Sequence, residues 1–237
     1  MGFFDFLADI PPYDTGKSLT RLNKRYALIV APFAEALEGA RVLDLAAHDG
    51  RWSYALAGAG ARQVIGVEAR GGLFARFARY PETAFKSRVE LREGDVFEAL
   101  EQFGRDGETF DVVAVYGILY HIMDHFRLFR LIRALRPGMV IVDSEFMTAR
   151  NPMIQLTLER TEFDINAAPQ VDGQEKAIIG IPSRRAMEKI TEVLGFRCDW
   201  VDVDAIIGGD RSALSDYFRD GAKRRGTCVL FPEDGPA

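Results

Sequence analysis

RVLDLAAHDGRWSYALAGAGARQVIGVE, residues 41–68, holds two short apolar runs separated by a small-residue loop and a helical pattern. Val42-Leu43-Asp44-Leu45 is the length and composition of a strand buried on both faces of a parallel sheet. Ala46 to Gly50 follows as a tight loop of small residues and one acid, Asp49. Trp52, Leu56 and the alanines between them predict a helix that stops at Gly58 and Gly60. The second run, Val64-Ile65-Gly66-Val67, closes on Glu68. Strand, loop, helix, strand and acid make a βαβ unit of the nucleotide-binding kind. Asp44 and Glu68 then end adjacent parallel strands, so both carboxylates fall at the carboxyl edge of the sheet, where open α/β folds bind ligands.

The loop discriminates between ligands. A dinucleotide needs its diphosphate cradled by G-x-G-x-x-G at a helix N-terminus. This loop has one glycine, Gly50, and it carries acids at Asp44 and Asp49, which repel a diphosphate. S-adenosylmethionine (SAM) has no phosphate and is cationic at sulfur and nitrogen, so acids suit it. The stretch resembles motif I of the class I SAM-dependent methyltransferases, D/E-x-G-x-G-x-G. Asp44 and Gly50 match that pattern, while Ala46 and His48 replace its first two glycines, and His48 must then point away from the methionine tail. The resemblance runs from about Arg41 to the C-terminus. It implies a Rossmann-like, doubly wound sheet of seven strands, mostly parallel with the last antiparallel.

Composition narrows the remaining classes. At 237 residues, 48% hydrophobic and 27% charged, the chain fits one α/β domain with a sizeable core. A formal charge of −5 argues against a broad nucleic-acid surface. Dense basic clusters occur only at Arg184-Arg185 and Lys223-Arg224-Arg225, which read as solvated faces. Cys198 and Cys228 form no metal pattern and imply buried thiols in a reducing, hence cytoplasmic, setting. The N-terminus lacks a secretory n-region, and no apolar run approaches the ~18 residues of a membrane span.

The chain is expected to form one domain over residues 1–237, with residues 1–40 as an N-terminal helical lid. Gly2 to Asp9 is an aromatic patch, and Ser18 to Glu38 has helical spacing that Pro32 should kink. Tyr13, Lys17 and Arg21 are lid candidates. A helix over Gly71–Tyr80 and a third strand over Val89–Arg92 come next. Asp95-Val96 matches the family position where an acid accepts a hydrogen bond from the adenine amino group and the next N–H meets a ring nitrogen. Asp95 is equally a good N-cap for the helix Val96–Gln102.

Phe110–Val115 reads as strand four, ending at Tyr116-Gly117-Ile118-Leu119-Tyr120-His121, with a helix from about Ile122 to Leu135 and strand five over Met139–Val142. L-Y-H, a helix, L-R-P-G and a strand look like motifs IV and V of the same class. GILYH with Ile181-Pro182-Ser183 and Gly195-Phe196 resembles, more narrowly, the tRNA wobble-uridine carboxymethyltransferases. That family carries an N-terminal extension of domain size absent from these 237 residues, so this resemblance implies a relative whose substrate is open. Phe146–Gly180 has no strong periodicity, and its length marks it as a functional cap over the cleft, with a short helix at Met153–Leu158. A helix capped by Ser183 and two final strands complete the chain.

Methyl transfer demands alignment and, for many acceptors, removal of a proton. His121 is the candidate base, with an intrinsic pKa near ~6.5 and a place before a helix whose dipole disfavours imidazolium. Packing against the cofactor is the equal alternative. Asp124 and His125 lie one turn on and could orient it, although His125 alone reads as a surface residue. Asp44, Ala46, Gly50, Glu68, Asp95, Val96 and Tyr116 are the expected cofactor contacts, and Tyr13, Tyr120, Glu145 and Arg150 the expected substrate contacts. No metal is expected: metal-dependent catechol-type enzymes place an acid where Tyr116 stands. The reading is therefore a SAM-dependent methyltransferase acting on an O or N atom of a small molecule. The alternatives are a tRNA-modifying enzyme, a noncatalytic SAM-binding module and, disfavoured by the loop, an NAD-dependent oxidoreductase. No membrane partner is expected, and oligomeric state is open.

Overall fold

The computed structural model describes residues 2–233. The chain opens with a 3-10 turn at Asp5–Asp9 and the helix α1 (Gly16–Ile29), followed past Pro32 by the short α2 (Ala34–Leu37). Phe3 stacks on Tyr26 at 4.8 Å, and Phe4, fully buried, meets Trp52 edge-on. The N-terminal aromatics thus join the core.

Then come β1 (Arg41–Leu45), α3 (Arg51–Gly58), β2 (Gln63–Glu68), a 3-10 helix at Gly71–Arg79, β3 (Val89–Glu93), α4 (Val96–Arg105) and β4 (Val112–Tyr116). After a 3-10 turn at Leu119–His121 follow α5 (His125–Ala134), β5 (Met139–Met147), β6 (Ile154–Arg160), β7 (Lys176–Pro182), α6 (Arg184–Val193) and β8 (Phe196–Trp200). The small helices α7 (Val203–Ile207) and α8 (Ser215–Phe218) precede β9 (Lys223–Pro232).

Seven strands form one sheet in the order β3-β2-β1-β4-β5-β9-β8. All pairings are parallel except those of β9, which runs antiparallel to both β5 and β8. The order reverses between β1 and β4, a topological switch point that opens a crevice at the carboxyl ends. One apolar cluster joins the N-terminal segment, α1 and α3 to one face of the sheet; a second joins α4, α5 and α6 to the other.

Three expectations need correction. Met153–Leu158 is not a helix: β6 pairs antiparallel with β7 as a separate two-stranded sheet. Ile154, Leu156 and Leu158 alternate along β6 but face solvent, whereas Glu159 faces inward beside Ala177. Apolar residues on the outer face hid the two-residue period. Gly71–Arg79 forms a 3-10 rather than an α-helix. The helix after β4 starts at His125, not Ile122, because Asp124 caps it by accepting the Arg127 N–H.

Candidate active site

Motif I keeps its shape with the wrong residues. Ala46, His48 and Gly50 all adopt left-handed φ, at 58°, 55° and 78°. These are the three positions where the pattern places glycine, the residue that enters this region without steric cost. Gly50 is additionally hemmed in, since a Cβ there would lie 2.7 Å from Phe77 Cδ2 and 2.8 Å from Leu91 Cδ1. Ala46 makes no side-chain hydrogen bond that could offset its strain. Ala46→Gly is expected to stabilise the protein by up to ~1 kcal/mol, less the extra entropy of an unfolded glycine. A thermal melt should therefore shift upward by a few degrees at most; a downward shift would mean that the loop is relaxed as it stands.

The loop is tied down on both sides. Glu68 Oε2 accepts the His48 N–H at 2.9 Å, and its Oε1 accepts the Arg70 N–H at 3.0 Å. Beneath the loop, buried Asp49 accepts the hydroxyl of Tyr13. Tyr13 is thus a buried support and does not line the cleft. His48 does line it, with its Nδ1 3.5 Å from Asp49 Oδ1.

Asp44 is 1% exposed and lies behind the cleft wall, where its Oδ2 accepts Ser53 Oγ–H at 2.6 Å and its Oδ1 has no partner. Burial, reinforced by the nearby Glu68, pushes its carboxyl from 3.8 up to about 7, against the pull of Ser53. Between pH ~4 and ~7 the folded protein therefore holds a proton that the unfolded chain has lost, and stability falls as pH rises through that window. Buried His125 works in the opposite sense, because burial holds its imidazole below its ordinary 6.5. That contribution is common to parent and variant. Urea titrations from pH 4.5 to 8 should show Asp44→Asn gaining on the parent by on the order of 3 kcal/mol as pH rises. A constant difference would show that Asp44 keeps an ordinary pKa.

The cleft encloses about 750 Å³ between the carboxyl ends of β1, β2 and β4 and the segment 164–170. Ala46, Glu68, Asp95, Val96 and Tyr116 line it, together with Tyr120 and His121. Asp95 caps α4, its Oδ1 accepting the N–H of Phe97 at 2.8 Å and of Glu98 at 3.1 Å. Tyr116 spends its hydroxyl on the carbonyl of Ile29. Asp44, Gly50, Tyr13, Glu145 and Arg150 are not on the wall. Glu145 is engaged by Arg219 and Lys223, and Arg150 is exposed in the β5–β6 loop.

His121 Nδ1 lies 2.7 Å from Glu159 Oε2, on the hairpin. A carboxylate only accepts, so Nδ1 carries the proton and Nε2 is left as the acceptor nitrogen. The same Glu159 oxygen accepts the Ala167 N–H at 2.9 Å. Burial opposes the charge on Glu159, but these two hydrogen bonds hold it below the usual carboxylate range. The orienting partner is therefore Glu159, not Asp124 or His125: Asp124 caps α5, and His125 is buried with Nε2 2.8 Å from the Leu119 carbonyl. Arg70 closes the roof from the β2 side, donating to the carbonyls of Thr161, Asn166 and Ala167.

At the far end, Asp143 is fully buried among Arg25, Arg225, Tyr217 and Thr227. The sequence carried no local signal for this cluster or for Glu159 and Arg70.

Residues 42–138 match the family model described as a methyltransferase domain. The N-terminal domain of EvdMO1, solved in the presence of S-adenosylhomocysteine (SAH) and D-fucose, superposes with a TM-score of 0.62. It is 19% identical, over 89% of this chain and 82% of that one. A tRNA U34 carboxymethyltransferase of Marinobacter nauticus is 35% identical over 46% of this chain and 32% of its own length. A demethylmenaquinone methyltransferase of Clavibacter sepedonicus is 35% identical over 53% of this chain and 47% of its own. The chain thus spans less than half the length of these curated relatives. The fold is that of the Rossmann-like methyltransferases, and residues 42–138, less than half of the chain, are similar to a methyltransferase domain.

The cleft fits the cofactor of that class. Glu68 uses one acceptor site on each oxygen for the loop and keeps the others, and the hydrogen bonds to Asp95 use only Oδ1.

Proposed function

We propose that this chain transfers a methyl group from SAM to an oxygen or nitrogen of a small-molecule acceptor. Glu68 would hold the ribose hydroxyls, Asp95 and the Val96 N–H the adenine, and the Ala46–Gly50 loop, backed by Asp44, the methionine end. SAM supplies an electrophilic methyl carbon whose bond to sulfur breaks as the acceptor's lone pair forms the new bond. His121 Nε2 takes the proton released by the acceptor, and Glu159 stabilises the imidazolium that results. Tyr120 lies beside the base, their ring centroids 4.3 Å apart.

The observation that carries the small-molecule reading is the roof. The turn after β6 spans the cleft, pinned by Arg70 on one side and by Glu159 on the other. A partly roofed cleft of this volume suits a cofactor and a compact acceptor. A folded RNA would instead need free cations along the rim. Both basic clusters are already engaged: Arg185 with Glu188, Lys223 with Glu145, Arg224 with Asp220, Arg225 with Asp143, and Arg184 over the Trp200 ring. The names of the partial tRNA-modifying relatives keep a tRNA acceptor as the second reading.

Calorimetry with SAM tests the cofactor site. Glu68→Ala should weaken binding by ~10- to 100-fold, the value of hydrogen bonds to a charged group, and Glu68→Gln by less. Unchanged affinity would remove Glu68 from the ribose site. Labelled SAM with a small-molecule extract, against total tRNA, tests the acceptor; label appearing in tRNA would overturn the small-molecule reading.

A further inference from the structure

We infer that the outer face of the β6–β7 hairpin is a docking surface for a second copy of this chain, packed face to face about a two-fold axis. The inference goes beyond the methyl-transfer reading and does not depend on it. The hairpin is apolar on both faces. Ala177, Ile179 and Ile181 are buried on the inner face, the first two packed with Ala167 of the roof. Ile178 and, across the ladder, Leu158, Leu156 and Ile154 point the other way and are 39–64% exposed. Gly180 stands opposite Leu156, and the turn before α5 packs against the same face: a Cβ on Gly180 would lie 2.7 Å from Ile154 Cγ2 and 3.1 Å from His125 Cε1. That turn adds Met123 and the start of α5 adds Phe126, both about half exposed. Of the twelve large apolar side chains exposed among the described residues, ten lie on the hairpin, its turn or these two positions, so the apolar surface is concentrated rather than scattered.

The charges along the hairpin select a second copy as the occupant. Its turn end is acidic, since Glu162, Asp164, Asp172 and Glu175 outnumber Arg160 and Lys176. The opposite end carries Arg150, exposed in the β5–β6 loop and in no ion pair among the described residues. Laying β6 antiparallel over β6 of a second copy brings each Arg150 to the acidic end of the other, twice by symmetry. Parallel stacking would instead set like charges together. In the antiparallel arrangement Leu156 and Leu158 meet their counterparts near the axis, at the ~10 Å spacing of packed sheets. Six apolar side chains, each about half exposed, offer on the order of 300 Å² of apolar area, and a polar rim brings such a face to the low end of specific interfaces, ~600 Å² per partner. The inner face of the same strand presents Glu159 to His121, so the contact would also brace the partner of the candidate base.

The test is sedimentation equilibrium on the full chain. A small interface of this kind should give a monomer–dimer equilibrium with a Kd on the order of 10 µM, so concentrations from about 1 to about 200 µM span it. Leu156→Glu and Leu156→Lys each set like charges across the axis and should weaken association by ~10-fold or more. Mixed in equal amounts, the two variants should recover association, because glutamate then faces lysine. Misfolding would not be repaired by mixing, and the parent measurement stands even if a variant fails to fold. A parent that stays monomeric at the highest concentration overturns the proposal; if it then sediments with phosphatidylcholine vesicles, the face belongs to a lipid surface. A dimer that both variants leave unchanged also overturns it, because the copies then meet elsewhere.

Discussion

Asp143→Ala is expected to destabilise the protein by about 3–5 kcal/mol, more than removal of any surface ion pair. The side chain is fully buried in the middle of β5 and accepts from two guanidiniums and two hydroxyls. The arginines hold its carboxyl far below the usual range, overcoming a large cost of burial. Its removal would leave Arg25 and Arg225 facing each other without compensation. The cluster also joins three distant parts of the chain: α1 through Arg25, α8 through Tyr217 and β9 through Arg225. Loss would therefore loosen the N-terminal helix from the sheet as well as strand β9. Asp143→Asn keeps the acceptor oxygen but not the charge, and should fall between parent and alanine. Urea unfolding followed by circular dichroism measures this directly. A loss below ~1 kcal/mol for Asp143→Ala would show that water or rearranged arginines replace the carboxylate with ease.

The same cluster marks the boundary of what the sequence could convey. The unit from β1 to β2 was legible because its signals are local: two apolar runs, a small-residue loop, and helical spacing between them. The sheet of seven strands was expected from the resemblance to the class I methyltransferases, and its strand order was not read from the sequence. Asp95 and Val96 reached the cleft wall because a helix cap after a strand has one natural position. The pairs that build the far end are different in kind. Glu159 is 38 residues from His121, Arg225 is 82 from Asp143, and Arg25 is 118 from it. No periodicity connects such residues. The segment Phe146–Gly180 was opaque for another reason: β6 turns its leucines outward and its glutamate inward, the reverse of the usual alternation. With the hairpin unread, Glu159 remained one charge among several, and the orienting role fell by sequence proximity to Asp124 and His125. Ala46 and His48 show the converse, a backbone shape that persists where the residues that ordinarily signal it have changed.

His121→Ala should lower kcat by ~10²-fold or more on an acceptor whose proton must be removed. KM for SAM should change little, because the Glu68 and Asp95 side of the cleft does not depend on the imidazole. Glu159→Gln provides the sharper test. An amide in place of the carboxylate can accept the Nδ1 proton, but it can equally donate to Nδ1 and stabilise the other tautomer. It also removes the negative charge that steadies the imidazolium once the proton has moved. The expected result is a kcat lowered by ~10-fold or more. Glu159→Asp, which keeps the charge at a longer reach, should recover part of the loss. A role confined to holding the roof would give a different pattern. The Ala167 N–H would lose its acceptor in Glu159→Ala, raising KM for both substrates, while kcat stayed in place. If His121→Ala turns over as the parent does on its true acceptor, the imidazole is a wall of the cleft and the acceptor's proton leaves to solvent.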